Sequence, residues 1–353
     1  MTMISLLRVP ATLVALFVLF SAATVSAQTP VVQPGDHVAY IGNTLADRMQ
    51  HDGWLESYIH ALHPDYDLTF RNLGYSADEV KTRPRADNFG SPDQWLEKVS
   101  ADVIFCFFGY NEALRGEAGL EQFREEFAEM LDGMLSHKYN GESAPRIVVF
   151  SPIANEDLDD PNLPDPAEKN RDLKLYSDAM AEISAEKGVR FVDIYGPSVE
   201  LYESADEPLT MNSVHLLPHG NKALAQAIVR RLFGASAGSV SEERLEAIRQ
   251  AVVDKNYEWF SRYRVIDEYN VFGGRSKLEW FGQSNADVMM REMEIFDVKT
   301  ANRDKRVWAV AKGGDLEVVD DNLPSLVPVR TNKPGPLADE SFPYLGGEEA
   351  ISR

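Results

Sequence analysis

The chain has 353 residues, 44% hydrophobic and 26% charged, a globular mixture with material for a sizeable core. Its 35 Lys and Arg against 56 Asp and Glu leave a formal charge of -21. That charge repels phosphate backbones and argues against nucleic-acid partners or a basic grip on a membrane. A single cysteine, Cys106, excludes an intramolecular disulfide framework and a multi-cysteine metal site, and in the apolar run Val103–Phe108 it reads as an inert buried thiol.

In chain order, Arg8 precedes an apolar run from Ala11 to Phe20, and Val25-Ser26-Ala27 puts small residues where a signal peptidase cuts. Residues 1–27 therefore read as a signal peptide, and the product as exported, periplasmic or secreted, with no membrane attachment after cleavage. The apolar stretch is short for the roughly 20 residues of a spanning helix.

From His37 to Phe233, short apolar runs alternate with longer amphipathic ones. Strands are predicted at His37–Gly42, Leu68–Leu73, Asp102–Gly109, Arg146–Ser151 and Val189–Ile194. Helices are predicted at Leu45–Leu62, Leu120–Leu135, Pro166–Lys187 and Pro218–Phe233. Such alternation calls for a parallel sheet covered on both faces, and in such sheets ligands bind beyond the carboxyl ends of the strands. Residues 36–235 are read as this α/β domain, a flavodoxin-like three-layer α/β/α arrangement.

After Gly234 the texture changes. A small-residue linker, Ser236–Ser241, leads into a helical C-terminal extension over residues 240–310, with helices predicted at Glu242–Tyr263 and Asn285–Trp308. Its aromatics (Tyr257, Trp259, Phe260, Tyr263, Tyr269, Phe272, Trp280 and Phe281) read as a docking surface or as a platform for sugars. Arg291, Glu292, Glu294, Arg303, Asp304 and Arg306 are expected on its outer face. Residues 311–353, acidic and Pro-rich, are expected to be extended or disordered.

The chemistry gathers at four chain positions: Gly42-Asn43-Thr44-Leu45, Asn72-Leu73-Gly74-Tyr75-Ser76, Gly109-Tyr110-Asn111-Glu112 and Asn212-Ser213-Val214-His215. Their order and spacing resemble the GDSL, or SGNH, family of esterases and acylhydrolases, over roughly residues 36–235. The resemblance implies ester hydrolysis with Thr44 as nucleophile, His215 as base and Asn212 as its orienter. It implies oxyanion donors at the backbone N–H groups of Thr44 and Gly74 and at the Asn111 amide. It implies no metal and no organic cofactor, and a small acyl ester or acetylated glycan as substrate. Asn43, Arg83 and Arg85 are candidate substrate-binding residues, the two arginines as a grip for a carboxylate or sulfate. Ion pairing of those arginines with neighbouring carboxylates is the alternative.

This chain departs from the family pattern. Asn43-Thr44 stands in place of Asp-Ser, and Glu112 in place of an aspartate. Asn212 stands in place of the orienting acid, and loss of that acid costs about 10⁴ in turnover in a serine protease. A non-catalytic pseudo-hydrolase that binds a glycan or other ligand is therefore the rival reading. Ser76 reads as a loop hydrogen-bonder and Asp193 as a cap, whereas Asp206 and Glu207 lie within a short loop of Asn212. His219, four residues past His215, lacks a placed third ligand and makes a poor zinc site.

Overall fold

A computed structural model describes residues 30–234 and 240–330. The proposed signal peptide lies outside the described residues. The predicted strands form β1 (His37–Gly42), β2 (Thr69–Asn72), β3 (Val103–Phe107), β4 (Arg146–Phe150) and β5 (Arg190–Val192). All pair in parallel in the order β2-β1-β3-β4-β5. The helices of this part are α1 (Thr44–Asp52), α2 (Trp54–Leu62), α3 (Pro92–Lys98), α4 (Leu120–Ser136), α5 (Pro166–Lys187), α6 (Tyr195–Ser204) and α7 (Pro218–Phe233).

The central strand β3 is buried throughout, as a strand covered on both faces must be. Phe105 and Phe107 point into the layer of α1, α2 and α7, together with Tyr40 and Phe150. Ile104 and Cys106 point into the layer of α3, α4 and α5. Cys106 is free and buried, and burial pushes its thiol pKa up to about 12, so it is inert at neutral pH.

The predicted helix Leu45–Leu62 is two helices. Gly53 adopts a left-handed φ of 70° and donates its N–H to Met49, ending α1. A Cβ at Gly53 would meet the Val252 side chain at 3.0 Å, so the position answers packing as well as backbone. Helices α3 and α6 had no sequence-based expectation; α3 is held by a capping box between Ser91 and Gln94.

The described residues from Val31 onward form one compact unit. The extension supplies α8 (Glu242–Tyr263), α9 (Glu268–Val271), a short hairpin of β6 (Glu279–Trp280) and β7 (Gln283–Ser284), and α10 (Asn285–Ala311). Helices α8 and α10 cover the open edge of the sheet at β2. Three carbonyls at alternate positions there each take a donor: Trp308 Nε1 to Leu68 at 2.7 Å, Lys255 Nζ to Phe70 at 3.2 Å, and Trp259 Nε1 to Asn72 at 2.7 Å. Side chains therefore blunt an edge that would otherwise recruit another strand.

Two expectations for the extension change. Asp304 faces inward, buried, and forms a two-pronged ion pair with Arg71 of β2 at 2.5 and 3.0 Å. The aromatics divide: Trp259, Tyr263 and Phe272 are buried, whereas Tyr257, Tyr269, Trp280 and Phe281 are exposed. Beyond α10, residues 315–330 are irregular but anchored, with Asn302 and Arg303 both bonded to Asp320. Residues 331–353 of the proposed tail lie outside the described residues. No helix among the described residues is long and apolar enough to cross a membrane.

Candidate active site

Asn43 caps α1, its side-chain oxygen accepting the Leu45 N–H at 3.3 Å while its own N–H donates to Phe107 O at 3.1 Å. Thr44 is the first helical residue, so its N–H has no partner in the helix and is available at the positive end of α1. The Thr44 hydroxyl accepts the Ala77 N–H at 3.3 Å. Asn111 stands just past the end of β3, and its side-chain amide makes no hydrogen bond among the described residues.

His215 sits on the segment before α7. Its Nδ1 lies 2.9 Å from Asn212 Oδ1, which also accepts the His215 backbone N–H at 3.0 Å. An amide oxygen can only accept, so Nδ1 carries the proton and Nε2 is left as the free base. Burial, and after it the charge of Arg48, hold the imidazole below its ordinary pKa. The Asn212 segment is tied down by Glu156, whose buried carboxylate accepts the N–H groups of Leu209 and Thr210 and the Thr210 hydroxyl at 2.6 Å.

Thr44, Asn111 and His215 line one cavity of about 320 Å³, with Asn43 and Arg48, at the carboxyl ends of β1 and β3. The rest of its wall is largely apolar, including Leu45, Phe107, Phe108, Leu114 and Ile153. Thr44 and His215 share the cavity without a hydrogen bond between them.

Three predicted site residues stand elsewhere. The Gly74 N–H donates to Asn72 Oδ1 at 2.8 Å, and the residue is not in the cavity wall. Glycine is needed there because a Cβ would fall 2.7 Å from the Asp47 backbone nitrogen and 2.8 Å from Ala46 Cβ; the glycine lets its loop press on α1. Arg83 and Arg85 line a neighbouring cavity of about 350 Å³, with Phe108 in the wall of both. Arg85 pairs with both carboxylate oxygens of Asp78, at 3.0 and 2.7 Å, and stacks on Tyr75. Arg83 lies over the Phe108 ring and donates to the carbonyls of Glu79 and Val80.

The family profile of GDSL-like lipases and acylhydrolases matches residues 27–223, more than half of the chain. The chain belongs to the GDSL-like lipase/acylhydrolase family. Comparison with curated proteins gives no match. Similar solved structures include Axe2, an acetylxylan esterase from Geobacillus stearothermophilus, at 16% identity and a TM-score of 0.46, covering 60% of this chain and 100% of that one. Another is BT4096, a gut microbial diltiazem-metabolizing enzyme, at 17% identity and a TM-score of 0.44, covering 57% of this chain and 48% of that one.

In this member of the GDSL-like family the other polar residues near the site have structural partners. Ser76 donates to Asp47 at 2.6 Å. Asp193 accepts the N–H groups of Tyr195 and Gly196, as a cap does. Glu207 lies 3.8 Å from His219 on the surface, and no metal-binding cluster occurs among the described residues. Glu112 accepts the N–H groups of Val80 and Gly109, tying the loop after β2 to the end of β3; burial raises its pKa. Sequence reasoning missed Glu156 and Arg48. An acid six residues beyond β4, in the loop at the strand ends, was a signal for the first, and an arginine one turn beyond Thr44 for the second.

Proposed function

We propose that this protein is an exported ester hydrolase acting on a small acyl ester or an acetylated glycan. Thr44 Oγ1 attacks the carbonyl carbon and its proton passes to His215 Nε2. The bond to the alcohol then breaks as His215 returns that proton to the leaving oxygen. Water attacks the acyl-threonine in the same manner and releases the carboxylic acid. Negative charge on the tetrahedral oxygen is met by the Thr44 N–H and the Asn111 amide; the Gly74 N–H is already used by Asn72. The reading is carried by one observation: Thr44, Asn111 and His215 line one cavity at the strand ends, with the base's tautomer set by Asn212.

The chemistry departs from a serine triad in two ways. The threonine methyl restricts χ1 and crowds the attack. Asn212 orients the ring but brings no negative charge to stabilise an imidazolium. Together they favour slow turnover. A p-nitrophenyl acetate assay on the chain lacking residues 1–27, with H215A as control, tests the proposal: turnover above background that disappears in H215A is expected. The second reading, a ligand-binding pseudo-hydrolase, is favoured by the Thr44 hydroxyl, which is bonded to Ala77 N–H and not to His215. Equal background rates for both proteins, on this ester and on charged ones, would favour it over the hydrolase.

A further inference from the structure

Arg48 follows Thr44 by one turn of α1 and lines the same cavity. Its guanidinium has no hydrogen bond, ion pair or aromatic partner among the described residues, and its Nε is buried without an acceptor. The surrounding arginines differ: Arg264 pairs with Asp47, Arg85 with Asp78, and Arg83 with two backbone carbonyls. Among the described residues no carboxylate lines the cavity, although the chain holds 56 Asp and Glu. The nearest acids along α1 are engaged by other partners, Asp47 by Arg264 and Ser76, and Asp52 by Asn221. One donor of a charged group is thus buried in a largely apolar wall without an acceptor, which costs free energy, and the group as a whole has no anionic partner among the described residues.

We infer that Arg48 selects the substrate, and that the cavity takes esters carrying a carboxylate close to the scissile bond. The guanidinium fork presents parallel N–H groups that match the two oxygens of a carboxylate. A neutral ester in the same place leaves those donors unmet, which is the strongest means a binding site has of rejecting an analogue. The selection is local, because the net charge of the chain repels anions at long range. The ester part of this inference rests on the hydrolase reading; the anion part does not.

Two matched pairs of esters test it and separate the two sides of the bond. On the acid side, p-nitrophenyl succinate is compared with p-nitrophenyl acetate. On the alcohol side, 3-acetoxybenzoate is compared with phenyl acetate. The expected result is a kcat/KM preference for one anionic ester of at least about tenfold over its neutral match. The preference should be lost in R48Q and partly restored in R48K, with thermal melts showing all variants folded. A ratio near one in the wild type, or an R48Q variant that slows both members of a pair equally, would overturn the inference while leaving ester hydrolysis standing. If no ester is cleaved, calorimetric titration with succinate and with its neutral diamide still decides the anion part. Succinate binding that weakens at least tenfold in R48Q supports it, and equal or absent binding of the two compounds refutes it.

Discussion

Arg264 Nη1, just past the end of α8, lies 2.6 Å from Asp47 Oδ1, three residues after Thr44 on α1. The same guanidinium sits 3.5 Å from the centre of the Tyr75 ring, and Arg85 sits 3.7 Å from that centre. Tyr75 follows Gly74, so the extension grips both the helix that bears Thr44 and the loop that presses on it. Two further bonds, Trp259 Nε1 to Asn72 O and Tyr263 Oη to Leu73 O, attach α8 to the same loop. The extension is thus a support for the site, packed from the β2 edge.

Removing that grip should weaken both fold and site. R264A leaves Asp47 mostly buried and without its cation, a loss of about 2–4 kcal/mol, below the fully buried range because Arg264 keeps some exposure. Urea denaturation measures it, and a D47A/R264A cycle isolates the coupling. Strict additivity of the two single variants would show that the pair contributes nothing of its own.

Restoring the family residues should raise turnover. T44S with N212D supplies an unhindered hydroxyl and a negative charge beside His215 Nδ1, 2.9 Å away in the present pair. An increase of at least about tenfold in kcat on p-nitrophenyl acetate is expected, a small part of the 10⁴ that such a charge controls in a serine triad. A folded double variant with no gain would place the obstacle in the distance between hydroxyl and base.

The pH dependence follows from His215. Its pKa lies below the ordinary 6.5, through burial first and Arg48 second, and a base acts deprotonated. The acid limb of kcat/KM should therefore fall below pH 6.5. R48Q should move it upward, since loss of a neighbouring cation favours the protonated ring. The unfolded chain binds this proton more readily than the folded one, so stability should rise with pH through the same window. A limb at or above 6.5 in the wild type contradicts the assignment.

A buried pair anchors the extension as well. Lys255 Nζ on α8 lies 2.8 Å from Glu56 Oε1 on α2, and both are almost fully buried. K255M should cost about 3–5 kcal/mol, because it strands the Glu56 charge in the core. K255M combined with E56L should recover much of that loss, since neither charge then has to be desolvated. Thermal or chemical unfolding of the two variants compares them directly, and a double variant less stable than K255M would reverse the argument.

Much of the molecule was legible from local pattern. Alternating strand and helix signals defined the parallel sheet, because a two-residue or 3.6-residue period is a property of the segment itself. Helices α5, α7 and α8 begin and end where predicted, since Pro166, Pro218 and Ser241 mark their starts without any distant partner. The positions of Thr44, Asn111 and His215 were legible as motifs at such segment ends. Tertiary structure alone decided which side chains meet. It turned Asp304 inward to Arg71 and drew Arg83 and Arg85 into a separate cavity. It directed the Gly74 N–H to Asn72 and left Arg48 in the candidate cavity with no partner among the described residues. Each of these depends on whether a charge or donor finds its complement in a chain segment far away in sequence. That is settled by packing of α8, α10 and the loop after β2 against the sheet, and neither composition nor periodicity carries it.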